Sequence, residues 1–135
     1  MYDSPTEQVA AVLTRFAAAW KRLDGSAIAG CFQDDGPATV IGTDPGEYTV
    51  GMDAYRAGWA AGGYPVAART FDWEEPPVIR IAGTGAWAHG VIVYDLTLAS
   101  GDVSQGRMWI TTALERSALD SGGSWQLAHL HASYA

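Results

Sequence analysis

Apolar and polar positions repeat along this chain with two different periods, and the change comes near residue 68. Before it, Val9, Val12, Leu13, Phe16 and Trp20 recur three or four apart, which gathers them on one stripe of a helix. Ser4-Pro5-Thr6-Glu7 opens that helix with a capping box and a proline at the first helical position. Asp24-Gly25 ends it near Leu23, and Asp24 or Ser26 caps a short second helix running to Phe32. The β-branched content of residues 38–42 and 47–51, joined by the turn Thr43-Asp44-Pro45-Gly46, predicts a short hairpin. Residues 52–61 then read as a third helix, with Tyr55 and Trp59 four apart on one side and Gly62-Gly63 closing it.

After residue 68 the pattern is that of strands. Residues 69–75, 78–82, 86–98 and 103–117 are separated by Pro76-Pro77, Gly83-Thr84-Gly85 and Ser100-Gly101-Asp102, and a loop at Ser121-Gly122-Gly123 leads to a last strand, 124–133. Three helices followed by a meandering antiparallel sheet predict one α+β domain over residues 1–135, helices against one sheet face. The last strand alternates, so His129 and His131 share the parity of Trp125 and Leu127 and stand about 7 Å apart on one face. A two-residue turn between the two long strands would put Trp87, His89, Val91, Val93 and Asp95 on the interior face with Met108, Ile110, Thr112 and Leu114. A β-bulge would swap part of that assignment.

Charge narrows the partners. Eight basic residues against fifteen acidic ones give a formal charge of −7, with no basic cluster, which argues against nucleic acid and anionic membranes as partners. The single cysteine, Cys31, reads as a small buried hydrophobe and demands no oxidising compartment. With no leader-like start and no apolar run of the roughly 20 residues needed to span a bilayer, the expectation is a cytoplasmic protein.

Several ordered motifs carry a resemblance. Ile41-Gly42-Thr43-Asp44-Pro45-Gly46-Glu47 follows the first strand, Gly51 through Tyr55 opens the third helix, Ala86-Trp87 opens the long strand, and Thr112-Ala113-Leu114-Glu115-Arg116 ends its partner. In that order they resemble the SnoaL-like branch of the nuclear transport factor and ketosteroid isomerase superfamily. Trp125-Gln126, His129, His131 and Ser133 are similar to the last strand of the association domain of calcium/calmodulin-dependent kinases. The resemblance implies a curved antiparallel sheet wrapped by three N-terminal helices into a cone, a homodimer through the outer sheet face, and neither metal nor cofactor. Such families include isomerases, cyclases, dehydratases and non-catalytic assembly domains, so the fold alone selects no chemistry.

The candidate chemistry rests on polar residues expected on the inner face. His89 and Asp95 on that face, with His129 and His131 if the last strand curls into the cavity mouth, are the candidate catalytic groups, because histidine titrates near neutrality and serves as base and then acid. His89 and Asp95 lie about 20 Å apart along one strand and cannot form a dyad. Tyr55, Trp59, Trp87, Trp109, Thr112 and Arg107 are the candidate contacts to a small apolar or aromatic molecule. Asp44 and Glu47 read as solvated loop carboxylates. A three-histidine zinc site from His89, His129 and His131 is a further reading of the same residues. The sequence thus predicts a cofactor-free isomerase, cyclase or lyase working by proton transfer in an aromatic-lined cavity, or else a ligand-binding or homo-oligomerisation domain.

Overall fold

The structure, a computed structural model, describes residues 4–62, 64–117 and 124–135. Helix α1 (Pro5–Lys21) starts where the capping box places it. The Ser4 hydroxyl accepts the Glu7 N–H at 3.1 Å and donates to Glu7 Oε1 at 3.0 Å. Its stripe of Val9, Val12, Leu13 and Phe16 is buried throughout. Leu23 turns the chain with a positive φ of 53°, and Asp24 is the residue that caps α2 (Gly25–Ala29), its carboxylate accepting the Ala27 N–H at 3.0 Å.

Strands β1 (Thr39–Ile41) and β2 (Tyr48–Val50) form the expected hairpin, and α3 (Met52–Ala61) follows directly. Then come β3 (Ala67–Trp73), β4 (Val78–Ala82), β5 (Gly85–Thr97), β6 (Val103–Arg116) and β7 (Trp125–Tyr134). The seven strands make one curved, open sheet in the order β2-β1-β7-β6-β5-β3, with β4 also on β5. Strands β3 and β4 take successive lengths of the same edge of β5, Trp73 pairing Ile92 and Val78 pairing His89. Gly90 sits between them, because a Cβ there would meet the Trp73 ring at 2.9 Å. A pure antiparallel meander was the expectation, but β1 runs parallel to β7 (Val40 opposite Leu130), so the hairpin extends the sheet from its last strand. The loop expected at Ser121-Gly122-Gly123 lies outside the described residues.

Two local irregularities decide which side chains face inward. Thr97 pairs with Val103, so the β5–β6 connection holds five residues, not two, and Ala86 opposes Leu114 while Ile92 opposes Met108. Opposed positions then have equal parity. Even positions of both strands face the helices, and Trp87, His89, Val91, Val93 and Asp95 turn to the outer face. In β7 the register shifts: Leu114 opposes Leu127 but Ala113 opposes His129, leaving Ala128 as an extra residue. Inward parity therefore changes from Trp125 and Leu127 to Leu130 and Ala132, all four buried, and His129 and His131 point outward. The placement of His89, Asp95, His129, His131, Trp87 and Val91 on the interior face is thus corrected by one loop length and one bulge.

The helices cover the inner face. Phe16 packs edge-on against Phe32 at 6.3 Å and Phe71 at 6.5 Å, while Trp20 stacks on Phe71 at 5.0 Å. The core runs from these rings to Ile92, Ile110, Leu114 and Leu127, each almost wholly buried. No helix among the described residues is long and apolar enough to cross a membrane.

Candidate functional site

Toward the α3 end of the inner face the core gives way to a cavity of about 480 Å³, within the range of small-molecule sites. Its walls come from α1 (Phe16, Trp20), α3 (Tyr55, Gly58), Tyr64 beyond α3, and the sheet (Phe71, Tyr94, Met108, Ile110, Leu130, Tyr134). Each sheet residue here is the inward member of its strand, so the parity described above is what builds this wall.

Asp44 and Glu47, in the turn between β1 and β2, are the two carboxylates that line the cavity. The fold gives that turn a definite shape. The Glu47 side chain folds back so that Oε1 accepts the Asp44 N–H at 2.6 Å and the Thr43 hydroxyl at 3.4 Å. Gly42 leaves the room this needs, since a Cβ there would meet Glu47 Cβ at 2.7 Å and Cδ at 2.9 Å. Asp44 is tied to the sheet by the Tyr134 hydroxyl, which donates to Oδ1 at 3.2 Å. The sequence alone classed both carboxylates as solvated loop groups. They are exposed residues, yet the hairpin's position next to β7 turns them to the cavity mouth.

The other wall is a cluster of rings carrying donors. Trp59 stacks on Tyr64 at 3.9 Å and 9°, meets Trp20 edge-on at 5.3 Å, and lies against Gly25, whose Cβ would meet the indole at 2.5 Å. Its Nε1–H is buried and has no acceptor among the described residues, a state that costs about 1–3 kcal/mol. Tyr55, one helical turn before Trp59, is buried and lines the cavity. Burial drives its hydroxyl pKa far above the ordinary tyrosine range. The indoles of Trp59 and Trp20 beside its oxygen pull it partly back, and Tyr64 and Glu47 push it up again. The Trp59 indole makes no well-formed hydrogen bond to that oxygen, so it is a close neighbour rather than a partner. Burial and then the Glu47 charge raise Tyr64 as well. Both phenols stay protonated donors at neutral pH. A carboxylate at the mouth and neutral donors inside can accept a proton from a bound molecule and hold an oxygen of it.

Of the residues singled out from sequence, Tyr55 lines this cavity and Trp59 buttresses it through Tyr64 and Trp20. Thr112 is buried deeper, its hydroxyl donating to the Ala88 carbonyl at 3.0 Å. His89, Asp95, His129 and His131 do not line the cavity, and neither do Trp87, Trp109 and Arg107. Arg107 instead forms a two-pronged ion pair with Glu74 at 2.7 and 2.8 Å. His89 and His131 flank Thr111 on the outer face, one on each neighbouring strand. Among the described residues no group of histidine, cysteine, aspartate or glutamate is arranged to hold a metal, and the three-histidine set is not brought together. Sequence reasoning missed Trp20, Tyr64, Phe71, Tyr94, Asp44 and Glu47. The even parity of Tyr94 with Leu96 and Ile92 was the available signal, hidden by the assumed turn length.

The family model described as the SnoaL-like domain matches residues 9–135. No curated protein matches the chain. Among solved structures, a ketosteroid isomerase-like protein from Erwinia carotovora atroseptica is similar at 23% identity and a TM-score of 0.78, over 98% of each chain. A nuclear transport factor 2-like superfamily protein from Salmonella enterica aligns at 15% identity and a TM-score of 0.78, covering 96% of this chain and 89% of its own. A putative calcium/calmodulin dependent protein kinase II association domain from Xanthomonas campestris aligns at 18% identity and a TM-score of 0.68, covering 98% and 89%. At such identities the likeness speaks for the fold.

Proposed function

We infer that this chain, which belongs to the SnoaL-like family, binds a small flat apolar molecule in its aromatic cavity and moves a proton on it without a cofactor, as an isomerase, cyclase or lyase. The observation that carries this reading is the pairing of opposites in one cavity: Asp44 and Glu47 at a mouth whose inner walls are rings and phenols. Rings hold a planar skeleton by area and stacking. A carboxylate beside them is the group able to take a proton from a carbon next to a carbonyl. Glu47 is the better base of the two, because one of its oxygens is fixed by the Asp44 N–H while the other is left free. Asp44 holds the turn to β7 through Tyr134. The Xanthomonas association domain and the Erwinia isomerase-like protein share the fold, so the choice between chemistry and binding rests on these carboxylates.

The test is deuterium exchange at the acidic methylene of 2-tetralone in D₂O, followed by NMR. The unaltered protein is expected to speed exchange above buffer, and Glu47→Gln to lower that rate by about 10²–10⁴, the usual size of a general-base contribution. Exchange no faster than buffer, or unaffected by Glu47→Gln, overturns the catalytic reading.

The outer face favours a second copy of this chain as partner. Trp87 and Trp109, each 50% exposed, stand there with Val78 at 60%. Large apolar side chains grouped on one sheet face are the usual mark of an interface. Sedimentation at micromolar concentration is expected to give a dimer, and Trp87→Lys with Trp109→Lys a monomer. A monomeric unaltered protein ends this reading.

A further inference from the structure

We propose that the outer sheet face is a pH-gated contact between two copies of this chain, closed at neutral pH and opened in mild acid as its histidines take up protons. This rests on the second-copy reading above and deepens it. All three histidines of the chain stand on that face, on the strands either side of β6. His89 on β5 lies between Val78 of β4 and Thr111 of β6. His131 on β7 lies between the same Thr111 and Ile41 of β1, and His129 between Ala113 and Thr39. Every position opposite a histidine is thus apolar or a hydroxyl. Trp87 and Trp109 flank the row along β5 and β6, half exposed.

The charged side chains that border the row already have partners. Arg80, opposite Trp87, sits over the indole ring at 6.0 Å. Glu115, one outward position beyond Ala113, accepts the Gln33 amide N–H at 2.8 Å. Arg107, one outward position past Trp109, is neutralised by Glu74. The patch is therefore close to neutral on a chain of charge −7, and that singles out a second copy as its occupant. Across a two-fold axis a residue near the centre meets its own kind, so a self-contact tolerates little net charge. Two sheets packed face to face stand about 10 Å apart, which takes water from the imidazoles between them. Neutral imidazoles fit such a contact, whereas imidazolium ions there lose hydration and face like charge. The separated chains then bind more protons than the dimer, and the dissociation constant rises as pH falls. Each imidazole kept neutral in the dimer adds about tenfold between pH 7.5 and 5.5, and each histidine position counts once per copy. Whole-chain charge predicts the reverse sign, because acid reduces the negative charge by which two copies repel.

Sedimentation equilibrium of the unaltered protein at constant ionic strength, from pH 7.5 to 5.5, reads that sign, with a circular dichroism spectrum at each pH to follow the fold. The dissociation constant is expected to rise about a hundredfold or more, the effect of one histidine position in both copies. His89→Gln, His129→Gln and His131→Gln together are expected to keep the dimer and to cut the rise to about tenfold or less. A dissociation constant unchanged or lower at pH 5.5 overturns the proposal and leaves the second-copy reading standing. So does a triple variant that shows the full rise, since the titrating groups then lie elsewhere, or dissociation that coincides with loss of the folded spectrum. A monomer at pH 7.5 removes the second-copy reading and this inference together. The pH series uses the unaltered protein, so it decides even where the triple variant does not fold.

Discussion

The two faces of this sheet share the same strands and alternate residue by residue, yet they hold different chemistry. The inner face carries Phe71, Tyr94, Met108, Ile110 and Leu130, which pack on the helices and open into the cavity. The outer face carries all three histidines of the chain together with Trp87, Trp109 and the Arg107–Glu74 pair. Residues whose types suggest catalysis thus lie off the aromatic cavity, which is built mainly from residues that read as core. The lesson is about position. A histidine is an acid–base group wherever it stands, but it catalyses only where a substrate can be held against it.

The strongest way to break this division is to remove Val93 from the regular ladder of β5. The rest of the strand would then slip by one residue, and such a slip exchanges every side chain beyond it between faces. Tyr94 and Leu96 would leave the core and Asp95 would enter it. Loss of the folded state is expected, read as loss of soluble protein and of cooperative unfolding. A deletion protein that unfolds like the parent would show that strand parity does not set the faces.

Next in size is Phe32→Ala. Phe32 is 2% exposed and packs against Phe16 and Tyr55 at 6.3 and 6.2 Å. Its truncation should cost about 3–5 kcal/mol in urea unfolding. A loss below 1 kcal/mol would mean that the inner face is less tightly packed than these contacts imply.

Alkaline pH tests the inner face more gently. The native state keeps the Tyr55 proton to higher pH than the unfolded chain, whose tyrosines ionise near the ordinary value of about 10. Above that the unfolded state binds fewer protons than the native one, so stability falls as pH rises. Below it, Tyr55 adds no slope. Unfolding midpoints measured from pH 8 to 11.5 should fall more steeply at the alkaline end for the parent than for Tyr55→Phe, and parallel curves would contradict the burial assigned to that hydroxyl.

The smallest effect belongs to the outer face. His131→Ala, at an exposed position, is expected to change monomer stability by no more than about 0.5 kcal/mol. It should also leave 2-tetralone exchange unchanged. Exchange abolished by His131→Ala would return catalysis to the face from which the geometry removes it.

Sequence by itself determined much of the framework, for reasons that are local. The capping box at Ser4 and Glu7, the apolar stripe of α1, the limits of α3 and β4, and the Thr43–Gly46 turn depend on residues within one turn or strand of each other. Tyr55 was legible as a cavity residue because helix periodicity is robust to small errors. The site was otherwise hidden by two quantities with no local signature: the five-residue connection from Thr97 to Val103 and the bulge at Ala128. Strand periodicity is two, so a single residue in either place reverses inside and outside, and only pairing with β6 fixes the count. Asp44 and Glu47 became cavity groups in the same way, through the parallel docking of β1 on β7, a contact between residues some 90 positions apart along the chain.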